Sequence, residues 1–196
     1  MLAYLSWHRA AAGVEQARYE QALGHFHRSL ARQPPSGFHG SVALRMAELP
    51  WFLPLTGAEA APGYEDWYLI DDWSAVGVLE EAAVSHGHRT VHDASAALAG
   101  AATGSVYRLI EGSPRLDARQ ATWVTRKRGH EHPSLEALLG DGIDPRRDGL
   151  WRRCLGLGPA PEYCLLAAET PAGVAAGRLP DGWIAQTLQR EQIAYG

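Results

Sequence analysis

A chain of 196 residues, 46% hydrophobic and 20% charged, has an ordinary globular make-up, and at this length it buries roughly 70% of its unfolded surface without a disulfide or metal staple. The net charge of -4 and the pI near 6.1 argue against a basic face for nucleic acid. Cys154 and Cys164 are too few for a disulfide framework, no signal peptide heads the sequence, and no apolar run approaches the ~20 residues of a membrane helix. The expectation is a cytoplasmic protein with neither nucleic acid nor membrane as partner.

Residues 2–9 alternate, with Leu5 and Trp7 in one phase and Tyr4, Ser6 and His8 in the other, which is the pattern of a strand. Over 14–33 the apolar residues Tyr19, Leu23, Phe26 and Leu30 recur at helical spacing, and Pro34-Pro35-Ser36-Gly37 ends the helix. His27 borders this stripe and reads as a boundary residue with a backbone or solvent partner. A second strand over 38–47 sets Phe38, Val42, Leu44 and Met46 against His39, Ser41 and Arg45. A Pro-, Ala- and Gly-rich loop over 50–63 leads to an aromatic third strand at 67–72. Ser74 is placed to cap a helix running to Val84. His86-Gly87-His88 interrupts, 90–101 reads as helical again, and 105–110 as a fourth strand.

The remainder reads as a shorter copy, with strands at 121–128, 163–168 and 184–193 and helical stretches at 134–139 and 171–179. Segment 66–78 aligns without gaps on 162–174, and Trp7 on Trp123. The expected fold is therefore α+β: a first half at 1–112, a linker at 113–120, and a second half at 121–196. Each half is ferredoxin-like, with antiparallel sheets that together form an α/β barrel.

This element order resembles the dimeric α/β-barrel superfamily, which includes antibiotic-biosynthesis monooxygenase-like, haem-degrading, EthD-like and chlorite dismutase-like proteins. The resemblance implies two sheets enclosing a small-molecule cavity. The stretch from Trp73 to His92 resembles the helix that follows the third strand in that group, which in haem-degrading members carries the iron-ligating histidine.

Polar residues on strand phases opposite the aliphatics are the candidate cavity lining. His8 or His39 would serve as general base, since a neutral imidazole titrates near working pH. Ser41, Arg45, Arg108 and Arg126 would hold polar or anionic groups, and Tyr4, Trp67 and Trp123 would supply apolar walls. No nucleophile elbow, dinucleotide fingerprint or phosphate loop is present. The leading function is a small-molecule-binding barrel of the cofactor-independent or haem-linked oxygenase type. One alternative is a non-catalytic binding or interaction protein with a packed barrel. Another is a metal-dependent protein using His86, His88 and His92, of which the last two would stand one helical turn apart. No cofactor is the leading expectation, with haem or a divalent metal as alternatives. Trp51, Phe52, Leu53 and Leu55 are bulky apolar groups in a loop and are expected to cover the barrel mouth or make a homo-oligomer contact.

Overall fold

The computed structural model describes residues 1–52, 62–85, 87–126, 143–169, 179 and 181–196. Its strands are β1 (Leu2–Ala10), β2 (Phe38–Met46), β3 (Gly63–Ile70), β4 (Ala99–Gly112), β5 (Gln120–Arg126), β6 (Gly149–Gly156), β7 (Tyr163–Leu166), β8 (Trp183–Gln189) and β9 (Glu191–Tyr195); its helices are α1 (Gln16–Arg32), α2 (Trp73–Val84) and α3 (Arg89–Ala96). All strands join one antiparallel sheet of nine, in the order β8-β5-β7-β6-β4-β1-β3-β2-β9. The strands at the two ends of this order are consecutive in the chain, with Arg190 alone between them. The sheet therefore curls until its edges approach, and Gln186 donates across that seam to Glu48 at 3.2 Å. Among the described residues, no helix is long and apolar enough to cross a membrane.

The strand period of two divides every central strand between the faces of this curl. Leu5, Trp7, Val42, Leu44, Trp67, Tyr107, Trp123, Trp151 and Leu188 all point inward and form the main core. Their rings interlock: Trp7 and Trp123 lie 5.6 Å apart and Trp67 and Trp151 5.3 Å apart between centroids. Among the described residues, aromatic side chains thus dominate the inside of the curl. A buried ion pair sits among them, with Arg190 Nη2 3.1 Å from Glu65 Oε1. The Trp7 and Trp67 indoles donate to the two Glu65 oxygens at 2.9 and 2.6 Å.

On the outer face of the first four strands, Leu2, Tyr68, Ile70 and Val106 meet Phe26 and Leu30 of α1 and Ala75, Leu79 and Ala83 of α2. Tyr19 and Leu23 pack beside Ala43 and Tyr64. Apolar burial on this scale, about 25 cal/mol per Å², is what fixes α1 along the sheet.

Several expectations change. Asp72, not Ser74, caps α2, accepting from the backbone N–H of Ser74 and Ala75 at 2.9 and 3.2 Å. Residues 99–101, read as helix from their alanines, belong to β4, because pairing with β1 outweighs helix propensity. β6 lies where no strand was expected; Arg152 and Arg153 break its apolar pattern. A register shift between Phe38 and Gly40 turns Phe38 to the outer face, away from Val42 and Leu44. The ungapped alignment of 66–78 with 162–174 equates Trp67, which points inward, with Tyr163, which packs outside beside Trp183. A slip by an odd number of residues exchanges faces in this way.

The apolar loop also resolves differently. Phe52 is fully buried in the main core, and Trp51 packs edge-on to Trp7 at 5.5 Å and against Trp123 at 5.1 Å. Phe52 is thus spent on the chain's own interior, while Trp51 packs against that core and stays half-buried. Leu53 and Leu55 lie outside the described residues.

Candidate active site between helices and sheet

A cavity of about 400 Å³ opens between α1, α2 and α3 and the outer face of β1, β3 and β4. Its room comes from small side chains: Ala83 on α2, Ser95 and Ala96 at the end of α3, and the run Ala99-Gly100-Ala101-Ala102 on β4. Tyr4, Leu23, Phe26, Tyr68 and Leu79 give it apolar walls, while His8, Tyr19 and Asp66 supply polar groups. Predominantly apolar walls with a few convergent polar groups are the usual make-up of a small-ligand site.

The polar groups form a chain. β1 and β3 place Ser6 opposite Asp66 and His8 opposite Tyr64, so His8 is the diagonal neighbour of Asp66 on the same face. His8 Nε2 lies 3.0 Å from Asp66 Oδ2, and His8 Nδ1 lies 2.6 Å from the Tyr19 hydroxyl on α1. The Tyr68 hydroxyl donates to the same Asp66 oxygen at 3.1 Å. Behind them, His27 Nε2 stands 3.5 Å from Asp66 Oδ2, while its Nδ1 meets Ser41 Oγ at 2.7 Å. The His27 ring stacks on Tyr68, 5.2 Å between centroids and 9° from parallel. His27 is completely buried, so the boundary position expected for it does not hold.

The electrostatics follow from this geometry. Burial pushes the Asp66 carboxyl up, but His8 and His27 facing it outweigh burial and hold it below the usual carboxylate range. Tyr19 is pushed well above the ordinary phenol value, first by burial and then by the Asp66 charge and Tyr64. Tyr19 therefore rests protonated. With Asp66 ionised and accepting from His8 Nε2–H, a neutral His8 has Nδ1 free to accept from Tyr19.

The expected site residues divide. His8 and Tyr4 line the cavity, and Ser41 sits behind it through His27. His39 is an exposed residue paired with Asp71. Arg45 is held by Glu20 and Glu191, Arg126 lies 3.2 Å from Glu162, and Arg108 is exposed. None of the three is among the residues lining the cavity. Trp67 and Trp123 lie on the opposite, inner face. The polar phase was rightly separated from the apolar one, but the curl encloses the apolar face and turns the polar one toward the helices.

Both ring nitrogens of His88 are engaged, by Ser29 Oγ at 2.8 Å and the Gln33 carbonyl at 3.0 Å. His92 reaches the cavity rim against Phe26, with its Nδ1 3.2 Å from Asp93. His86 lies outside the described residues. Among those described, no group of three His, Cys, Asp or Glu side chains is placed to hold a metal ion. Tyr19, Asp66 and His27 were not picked out as site residues from the sequence, where each reads as part of a core helix or strand.

No family model matches the chain, and no curated protein matches it in sequence. Solved structures share its fold. One named "putative monooxygenase", from Fusobacterium nucleatum subsp. nucleatum, superposes with a TM-score of 0.60 at 7% identity, covering 99% of this chain and 93% of its own. An anthrone oxidase-like protein gives 0.51 at 9% identity over 98% and 93%. A second "putative monooxygenase", from Lactobacillus acidophilus, gives 0.51 at 9% identity over 100% and 98%. At these identities the likeness is one of fold.

Proposed function

We propose that the cavity is a small-molecule active site of the oxygenase-like kind, in which Tyr19, His8 and Asp66 form a proton relay. The observation that carries this reading is the buried, hydrogen-bonded line from the Tyr19 hydroxyl through both nitrogens of His8 to Asp66, ending at a small-ligand cavity. The monooxygenase and oxidase names of the structural neighbours support the oxygenase class.

Both His8 nitrogens are occupied, so a substrate proton reaches His8 only through Tyr19. The substrate proton passes to the Tyr19 oxygen as the Tyr19 proton moves to His8 Nδ1, and Asp66 steadies the imidazolium through Nε2–H. The raised proton affinity of the phenol requires the two transfers to be concerted, because free tyrosinate is not accessible. Dioxygen would then be the oxidant of the deprotonated substrate. The relay itself uses neither metal nor haem.

The test is oxygen uptake by wild type, Tyr19→Phe and His8→Gln with a panel of hydroxylated ring compounds. Loss of the relay should lower turnover by about 100-fold or more, with ligand affinity changed only a few-fold. Full turnover in Tyr19→Phe refutes the relay. Binding without turnover in wild type favours a non-catalytic binding protein, a reading that the packed interior also suits.

We also infer that the architecture is two ferredoxin-like halves, 1–112 and 121–196, joined by 113–120. The support is that β4-β1-β3-β2 and β8-β5-β7-β6 share one order: fourth, first, third, second. The registers agree as well. Trp7 faces Glu65 and Thr103, as Trp123 faces Cys164 and Gln186. Leu44 faces Glu65 and Gln192, as Trp151 faces Cys164 and Leu109.

A further inference from the structure

The charge of the cavity bears on which ligands can enter it. Among the described residues that line it there is no Lys or Arg. The candidate anion-holding residues Arg45, Arg108 and Arg126 are not among its lining residues, Arg45 being clamped between Glu20 and Glu191. Two carboxylates do line the cavity, and they differ. Asp66 is buried, with His8 Nε2 and the Tyr68 hydroxyl on its Oδ2 and His27 3.5 Å away. Glu80 on α2 stands at the exposed side of the cavity and interacts with the Tyr4 hydroxyl. Burial, followed by the Glu80 charge, pushes the Tyr4 phenol up to about 12, so Tyr4 remains a neutral donor beside it.

A carboxylate or phosphate entering here would lose water, find no Lys or Arg among the described lining residues, and meet the field of Glu80, which solvent screens only in part at the cavity's exposed side. An uncharged ring compound loses nothing of this kind and gains contact with Tyr4, Phe26 and Tyr68. We propose that the cavity selects uncharged ring compounds over anionic ones, and that Glu80 is the residue that sets this discrimination. The inference rests on the reading of the cavity as a small-molecule site.

Calorimetry at pH 7 with 1-naphthol, which is neutral, and 1-naphthoate, which is ionised, tests it on two ligands of similar shape. An Ala83→Trp variant, which fills the cavity, serves to locate the binding. Wild type should bind naphthol at least about tenfold more tightly than naphthoate. Glu80→Lys should reduce that ratio at least threefold by strengthening naphthoate. Naphthoate bound as tightly as naphthol, and released by Ala83→Trp, overturns the charge selection while leaving the small-molecule site standing. A preference that persists unchanged in Glu80→Lys overturns the role of Glu80. If neither probe binds wild type, or both bind Ala83→Trp undiminished, the site reading itself fails and the inference with it.

Discussion

Replacing Asp66 by Asn keeps the shape of the side chain and removes its charge. In the wild type, Asp66 Oδ2 receives His8 at 3.0 Å and Tyr68 at 3.1 Å, with His27 at 3.5 Å. His8, Tyr68 and His27 all face Oδ2, while Oδ1 is buried without a partner, so an amide can keep its oxygen at the accepting position but loses the charge and leaves a buried NH2 unpaired. Hydrogen bonds to a charged group contribute about 1.5–3 kcal/mol each, and breaking a buried pair from one side costs about 3–5 kcal/mol. With part of the acceptor kept, the expected loss is about 3 kcal/mol. At roughly 2–4 °C per kcal/mol for a chain of this size, the melting temperature should fall by about 6–12 °C. The pH dependence has a definite sign. The folded-state affinity of Asp66 for a proton is depressed, so its stabilisation is complete above the unfolded value of about 3.9 and is lost as pH falls through the lower folded value. Urea unfolding of wild type and Asp66→Asn should therefore show a gap that is present at pH 7 and narrows below about pH 4. A loss under about 1 kcal/mol at pH 7, or a gap that does not narrow below about pH 4, would refute this account of Asp66.

Two further predictions concern the interior. Glu65→Gln leaves the fully buried Arg190 without its counter-charge and should cost about 3–5 kcal/mol in urea unfolding, with Glu65→Gln/Arg190→Met recovering part of the loss; equal stability of wild type and Glu65→Gln would show that the pair is not needed. Phe52→Ala should cost about 3–5 kcal/mol through loss of core packing, with the molar mass by light scattering unchanged, whereas a lower mass would return Phe52 to a subunit contact.

The fold was legible in outline because local patterns survive in it. The alternation of β1 separated Leu5 and Trp7 from Tyr4, Ser6 and His8, and the 3.6-residue stripe of α1 picked out Tyr19, Leu23, Phe26 and Leu30. β6 was hidden because Arg152 and Arg153 disrupt its pattern. The alanine-rich start of β4 was mistaken for helix because alanine favours helix wherever no partner strand competes. The same small residues are what leave space for the cavity.

The sequence by itself determined which residues share a strand face, and so marked His8 and Tyr4 as lying away from the aliphatic side. It could not say which side would enclose a cavity. That depends on the direction in which the sheet curls, which buries the tryptophan face against itself and sets the His8 face against helices. Nor could it join Tyr19, His8 and Asp66. They stand 11 and 58 residues apart in the pairs that touch, and only the β1–β3 register and the docking of α1 across the sheet bring them within hydrogen-bonding distance. The partners of a buried polar group are set by long-range pairing, which local sequence periodicity does not encode.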